Sequence, residues 1–170
     1  MHSLKYTLIL FFMILPLNLV GQANEAYSEL TQARQQGEVA MSSLVESITS
    51  LTEVYRTKEV NARKRFILEV NTHLAQGIVA LQSAQEHAQK SLKQANEAIS
   101  NTTISCIHEA EKVFGQTKLI LSEAATHASK ALHDTNKTQA QADLQALTPL
   151  IEEGVVQLNE ALDLLEEVVS

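Results

Sequence analysis

Two carboxylate–imidazole pairs are the residues of this sequence whose types and spacing could do chemistry. Glu69 precedes His73 and Glu123 precedes His127, by four positions in each case. On a helix this spacing puts both side chains on one face, where they could ligate a metal ion or transfer a proton. A di-iron site in a helical bundle uses Glu-x-x-His twice together with two further glutamates, and this chain contains no Glu-x-x-His. We therefore interpret both as ordinary surface pairs and predict no metal site.

The other reactive side chains form no catalytic set. His87, His108 and His133 stand beside polar or charged residues and are predicted to be solvated. No arrangement of nucleophile, base and orienting group is recognisable. Cys106 is the one cysteine, so no internal disulfide can form; a buried thiol is the first interpretation and a disulfide to a second copy, giving a homodimer, is the alternative. The sequence predicts that the protein is not an enzyme and has no cofactor.

Basic residues concentrate in one short stretch. The cluster, a candidate binding patch, consists of Arg56, Lys58, Arg63, Lys64 and Arg65. No Lys or Arg follows Lys137, whereas seven acidic residues do. Such charge separation favours attraction to an acidic partner, an anionic glycan or a membrane surface; a merely solvated turn is the alternative. The chain as a whole has 20 acidic and 13 basic residues, which argues against nucleic acid as a partner.

Four glycines recur at intervals of 40, 38 and 39 residues, and they mark the elements that must position these side chains. They are Gly37, Gly77, Gly115 and Gly154. Each begins the pattern Gly, any residue, Val or Thr, any residue, Leu or Met. We predict that they are the midpoints of four helices and lie at one level. Because glycine inside a helix costs about 1 kcal/mol relative to alanine, that level indicates close packing, a small cavity, or shared ancestry of the helices.

Apolar residues repeat every three or four positions between the glycine-marked midpoints, which is typical of long amphipathic helices. The predicted helices span about 24–56, 62–99, 103–133 and 138–169, with Asn24 capping the first. Thr138 and Gln141 are predicted to form a capping box, and Pro149 is predicted to break or kink the fourth helix. Helices of about 32 residues are about 48 Å long. Short turns between them predict an all-α, antiparallel up-down four-helix bundle; an extended coiled-coil rod that dimerises is the alternative. In the bundle, Lys130 and Lys137 lie at the same end as the basic cluster.

The N-terminus has the features of a signal peptide. Lys5 precedes an apolar run over residues 8–15, which is shorter than the roughly 20 residues that span a bilayer. Gly21 and Ala23 are small residues suited to cleavage. Residues 1–23 are therefore predicted to be a signal peptide and residues 24–170 a single secreted domain. Two sequons, at Asn101 and Asn136, are predicted to be glycosylated in interhelical turns.

Three functional hypotheses fit these features. The first is a secreted, non-enzymatic protein that binds an unidentified extracellular macromolecule. The second is an exchangeable lipid carrier that opens its bundle on a lipid surface; in length, composition and lack of disulfides the chain is similar to insect apolipophorin III, although that family has five shorter helices. The third is a helical inhibitor or cytokine-like ligand. Plant invertase and pectin methylesterase inhibitors resemble the chain in architecture, but they carry disulfide-forming cysteines that it lacks.

Overall fold

The computed structural model describes the backbone of residues 3–95 and 99–169, and the side chains from residue 21 onward within those ranges. All regular structure in this part of the chain is helical. The four helices are α1 (Ser3–Arg56), α2 (Val60–Gln94), α3 (Asn101–His133) and α4 (Lys137–Val169). Each packs against the next, and α4 packs back on α1. Hydrogen bonds from Gln89 to Glu111 and from Lys118 to Gln82 show that α2 and α3 run in opposite directions. The antiparallel four-helix bundle is therefore confirmed, and the extended rod does not describe this chain.

Helix ends differ from the predicted ones in places. α1 begins at Ser3 and continues through Asn24, so Asn24 is not an N-cap. α2 ends at Gln94 rather than near Ile99, where Ala95 turns to an extended conformation (φ −61°, ψ 132°); residues 96–98 lie outside the described part. The assignment of residues 1–23 as a signal peptide stays a prediction, and the side chains of its apolar run lie outside the described residues.

The start and middle of α4 also correct the sequence-based expectation. Asn136, not Thr138, is the capping residue: its Oδ1 accepts the Thr138 N–H at 3.0 Å, which satisfies an amide of the first turn. α4 then continues through Pro149 without a break. A proline removes one backbone donor and disturbs the carbonyls one turn earlier. Tyr55 of α1 donates its hydroxyl to the Leu144 carbonyl of α4 at 2.9 Å, which gives a carbonyl in that turn a partner.

Small residues form a buried stripe on α1 that the apolar repeat did not reveal. Ile48 and Tyr55, which follow the three-and-four apolar spacing of α1, are 40% and 45% exposed. Buried in their place are Ala26, Ala33, Ala40, Ser43, Ser47 and Ser50. Because these side chains are short, α2 approaches closely enough for Ser91 Oγ to donate to the Ala26 carbonyl at 2.9 Å. α1 and α2 consequently share the most extensive interface of the bundle, and α1 and α4 share the least extensive of the four.

Three of the four glycines face the core and the fourth does not, and that all four lie at one level stays a prediction. A Cβ on Gly77 would lie 3.4 Å from Leu121 Cδ1, and one on Gly154 would lie 2.9 Å from Leu121 Cδ2. Gly37 instead faces Phe114 and Leu162. A Cβ on the remaining glycine, Gly115, would lie 3.0 Å from Gln85 Nε2. This position therefore adjoins a polar side chain and does not face the core. Large side chains fill the core-facing notches, so close packing, and not a cavity, accounts for three of the glycines.

Gly77→Ala is expected to raise the free energy of unfolding by about 0.5–1 kcal/mol, because alanine is the better helix former. Its added Cβ would make ordinary contacts, 3.4 Å from Leu121 and 3.6 Å from Ser43 Cβ. Gly37→Ala is the matched comparison: its Cβ would lie 2.8 Å from Leu162 Cδ2, so displacement of that side chain offsets the gain. Urea denaturation followed by circular dichroism measures both. A larger gain for Gly37→Ala than for Gly77→Ala would contradict the packing described.

Candidate functional site

A cleft of about 740 Å³ opens at the end of the bundle where α2 and α4 begin and α3 ends. Its lining combines positive charge with apolar surface. The charged lining residues are Lys58, Arg63, Lys64, Lys137 and Asp134, and the apolar ones are Val60, Ile67, Ala131, Ala140, Ala142 and Leu144. We call this site the basic-end cleft. It exists because α3 ends at His133 and the short turn to α4 leaves the gap between the first turns of α2 and α4 uncovered.

The positive charge of the basic-end cleft is not neutralised by the fold. Within the described residues, none of its four cationic side chains forms an ion pair. Arg63 Nη2 donates to Gln141 Oε1 at 2.9 Å, whereas Arg63 Nε is buried without a hydrogen-bond partner in that part of the chain. The one carboxylate of the lining, on Asp134, accepts the Asn136 N–H at 2.7 Å. An anionic group would therefore find unpaired donors here.

The structure divides the predicted basic cluster into two sets. Lys58, Arg63 and Lys64 line the cleft, and Lys137 joins them from α4. Arg56 instead pairs with Glu53 at 3.1 Å. Arg65 lies 3.6 Å from Glu69 and 4.8 Å from the centroid of the Phe66 ring. The charge of the site could be found from the sequence, but its apolar lining could not, because Ile67 and Leu144 have the pattern of ordinary core residues.

The two Glu–His pairs predicted within single helices are not formed. His73 Nδ1 lies 3.0 Å from Glu46 Oε2 of α1, and His127 Nδ1 lies 2.8 Å from Asp143 Oδ1 of α4. The histidines contact carboxylates on the neighbouring helix instead, so the i, i+4 spacing gave the wrong partners. In the case of Glu69, the carboxylate faces Arg65 instead.

A third contact of this kind involves His87, whose predicted solvation is wrong. Its Nδ1 lies 2.6 Å from Glu29 Oε2, and the two side chains are only 18% and 20% exposed. All three contacts join the two helices of one hairpin, either α1 with α2 or α3 with α4, which gives them a structural role. His108 and His133 are exposed, as predicted. Among the described residues no group of three or more His, Cys, Asp or Glu side chains is placed to hold a metal ion.

The predicted modification sites lie at the ends of α3. Asn101 is exposed as the first residue of α3, and Asn136 is exposed in the turn before α4. Cys106 is a free, half-buried thiol. Glycosylation at the two asparagines and a disulfide between copies stay predictions. In the part of the chain that the structure describes, no helix contains a stretch both long and apolar enough to span a membrane.

Fold and site together define a class: a four-helix bundle with a cationic, partly apolar cleft at one end and histidine–carboxylate contacts within its hairpins. No protein-family model, curated protein or solved structure matches the chain. The geometry of its own residues therefore carries the functional argument.

Proposed function

We propose that this chain is a secreted, non-enzymatic binding protein that captures an anionic macromolecule in an extracellular fluid through its basic end. The observation that carries the proposal is the set of four cationic side chains in the basic-end cleft, unpaired within the described residues. Arg56 and Arg65 of the same stretch of sequence are instead paired with Glu53 and Glu69. Unpaired cations converging on one cleft are the arrangement that a negatively charged partner requires.

The charge distribution along the bundle supports this use of the basic end. The second half of α4 carries only acidic charge, from Glu152, Glu153, Glu160, Asp163, Glu166 and Glu167. Because neighbouring helices are antiparallel, the C-terminus of α4 lies at the end opposite the basic-end cleft. A negatively charged partner is repelled by one end and attracted by the other, so long-range electrostatics orient its approach.

Charge reversal tests the proposal, with heparin and poly-L-glutamate as probes. The wild-type protein is expected to be retained on an immobilised polyanion at low salt and released as salt rises, because ionic contacts are screened. Lys58→Glu/Lys64→Glu is expected to abolish retention. Lys90→Glu/Lys93→Glu makes the same charge change at exposed positions near the other end of α2 and is expected to leave retention largely intact.

The control variant distinguishes binding at the basic-end cleft from attraction by the overall charge of the protein. Equal loss of retention in both double variants would show that only overall charge matters and would reject the proposed site. Failure of the wild-type protein to bind either probe would reject it too. Export is tested separately by sequencing the N-terminus of protein recovered from the culture medium, which is expected to begin after Gly21 or Ala23.

A specific observation also favours the lipid-carrier hypothesis as a second candidate. α1 and α4 share the least extensive of the four interfaces between neighbouring helices, and a groove of about 260 Å³ lies between them, lined in part by Ile48, Tyr55 and Ile151. Separation of the helices there would expose the apolar core to lipid. Phosphatidylglycerol vesicles that leave both the helicity and the sedimentation of the protein unchanged would exclude this candidate. The structure adds no feature specific to an inhibitor or a cytokine-like ligand.

A further inference from the structure

We infer that the basic-end cleft is a binding site for a single-chain anionic amphiphile, namely a long-chain carboxylate of the fatty-acid type. The inference goes beyond macromolecular binding at the basic end. It uses the same cations but adds the apolar lining, which plays no part in binding a polyanion. It also differs from the lipid-carrier hypothesis, since the site is already formed in the closed bundle.

The head group is recognised by the rim of the cleft. Lys58, Lys64 and Lys137 place three ammonium groups around it. Arg63, held in place by its bond to Gln141 (2.9 Å), adds a guanidinium to the lining. A carboxylate satisfies such a guanidinium through charge-assisted hydrogen bonds. The carboxylate of Asp134 competes little for these donors, because it accepts a backbone N–H in its own turn.

The tail is recognised by the apolar lining. Ile67, Ala131 and Leu144 lie at the edge of the core, and they border the cleft because no helix covers this end. Val60, on the first turn of α2, is 64% exposed and adds to this apolar lining. An alkyl chain placed here would remove this apolar surface from water, which is the principal source of affinity for such a ligand.

Size and chemistry together select the ligand class. The cleft volume of about 740 Å³ lies within the range of about 300–1,000 Å³ that is usual for small-molecule sites. Free phosphate or sulfate would leave the apolar lining uncovered, and a sulfated glycan has no apolar chain to place on it. An uncharged lipid would leave the four cationic side chains without an ion-pair partner. A long-chain carboxylate supplies both a negative charge for the cations and an alkyl chain for the apolar lining.

Isothermal titration calorimetry with dodecanoate, below its micelle concentration, tests the inference on the full-length protein. We expect one molecule to bind, with a dissociation constant of about 10–100 μM. Acetate, which has the head group without the tail, and dodecyltrimethylammonium, which has the tail with the opposite charge, are each expected to bind at least 10-fold more weakly. Equal affinity for dodecanoate and either comparison ligand would overturn the inference.

Two variants localise the binding. Ala142→Phe places a ring in the cleft from an exposed position of α4 and is expected to weaken dodecanoate binding at least 10-fold while heparin retention persists. Ala75→Phe makes the same change at an exposed position of α2 outside the cleft and is expected to alter neither. Unchanged dodecanoate affinity in Ala142→Phe would overturn the inference.

A direct measurement covers the case in which Ala142→Phe fails to fold, as circular dichroism would reveal. Nuclear Overhauser contacts between dodecanoate methylenes and the methyl groups of Ile67 and Leu144 are expected in the wild-type protein, and their absence at saturating ligand would overturn the inference. Because heparin retention is measured on the same variants, its loss with dodecanoate binding intact would reject the macromolecular proposal and leave the amphiphile site standing.

Discussion

Phe114→Ala is expected to lower the free energy of unfolding by about 3–5 kcal/mol, as is typical of a fully buried phenylalanine. Phe114 is the largest of the fully buried side chains. Its ring reaches toward α1, where Cε1 lies 3.2 Å from the position of a Cβ on Gly37. The chain has four phenylalanines and no tryptophan, so the surrounding core of Leu and Ala has no second large ring to occupy the space. Urea denaturation followed by circular dichroism measures the loss.

Two substitutions elsewhere calibrate this effect. Leu119→Ala, on the same helix but 68% exposed, is expected to change stability by no more than about 0.5 kcal/mol. Phe66→Ala removes a partly buried ring that packs on the edge of the core and is expected to fall between the two. A loss for Phe114→Ala as small as that for Leu119→Ala would contradict the placement of its ring in the core.

The fold could be predicted from the sequence because a strong local pattern repeats along the chain. The three-and-four spacing on α2, seen at Ile67, Val70, Leu74 and Leu81, is the pattern that the structure buries. Serines carry no such signal: Ser47 is fully buried on α1 because its hydroxyl donates to the Ser43 carbonyl one turn earlier at 2.9 Å. The hydrogen bond requires a helical backbone, and the burial requires α2 to pack close by. The sequence alone shows neither.

The charge of the site could be predicted from the sequence, but its shape could not. Lys58 and Lys64 stand out as a basic cluster in the sequence. The apolar lining depends on where α3 ends relative to α2 and α4 in three dimensions, which no local pattern of the sequence encodes. The histidine partners were missed for a related reason. Glu29 and His87 are 58 positions apart, and their contact depends on the rotation of each helix about its own axis.

Glycine spacing illustrates the limit of sequence periodicity. The regular intervals correctly indicated four helices, yet Gly115 does not face the core and lies beside Gln85. Gln85 donates to Glu111 at 2.7 Å and accepts from Lys118 at 3.1 Å. The absent side chain at position 115 leaves room for this polar contact between α2 and α3. The same residue type in the same motif thus serves core packing in three helices and a surface network in the fourth.

His127→Ala is expected to lower the free energy of unfolding by about 1–3 kcal/mol, the cost of leaving a buried polar group without its partner. The side chain of Asp143 is only 6% exposed and lies 2.8 Å from His127 Nδ1. Asp143→Ala is expected to cost less, because it removes the buried carboxylate itself and leaves an imidazole that is 24% exposed and can bond to water. The double variant is then expected to resemble Asp143→Ala, so that a double-mutant cycle yields a coupling energy of about 1 kcal/mol or more.

The pair formed by His73 and Glu46 supplies the matched control, since it has the same chemistry at 3.0 Å and joins the other hairpin. Glu46 is 54% exposed, so water can replace the lost imidazole, and His73→Ala is expected to cost only about 0–1 kcal/mol. Burial of the carboxylate, rather than the presence of a histidine contact, therefore determines the cost. Equal losses for His73→Ala and His127→Ala would contradict this, and a coupling energy near zero for His127 with Asp143 would show that the contact does not hold α3 and α4 together.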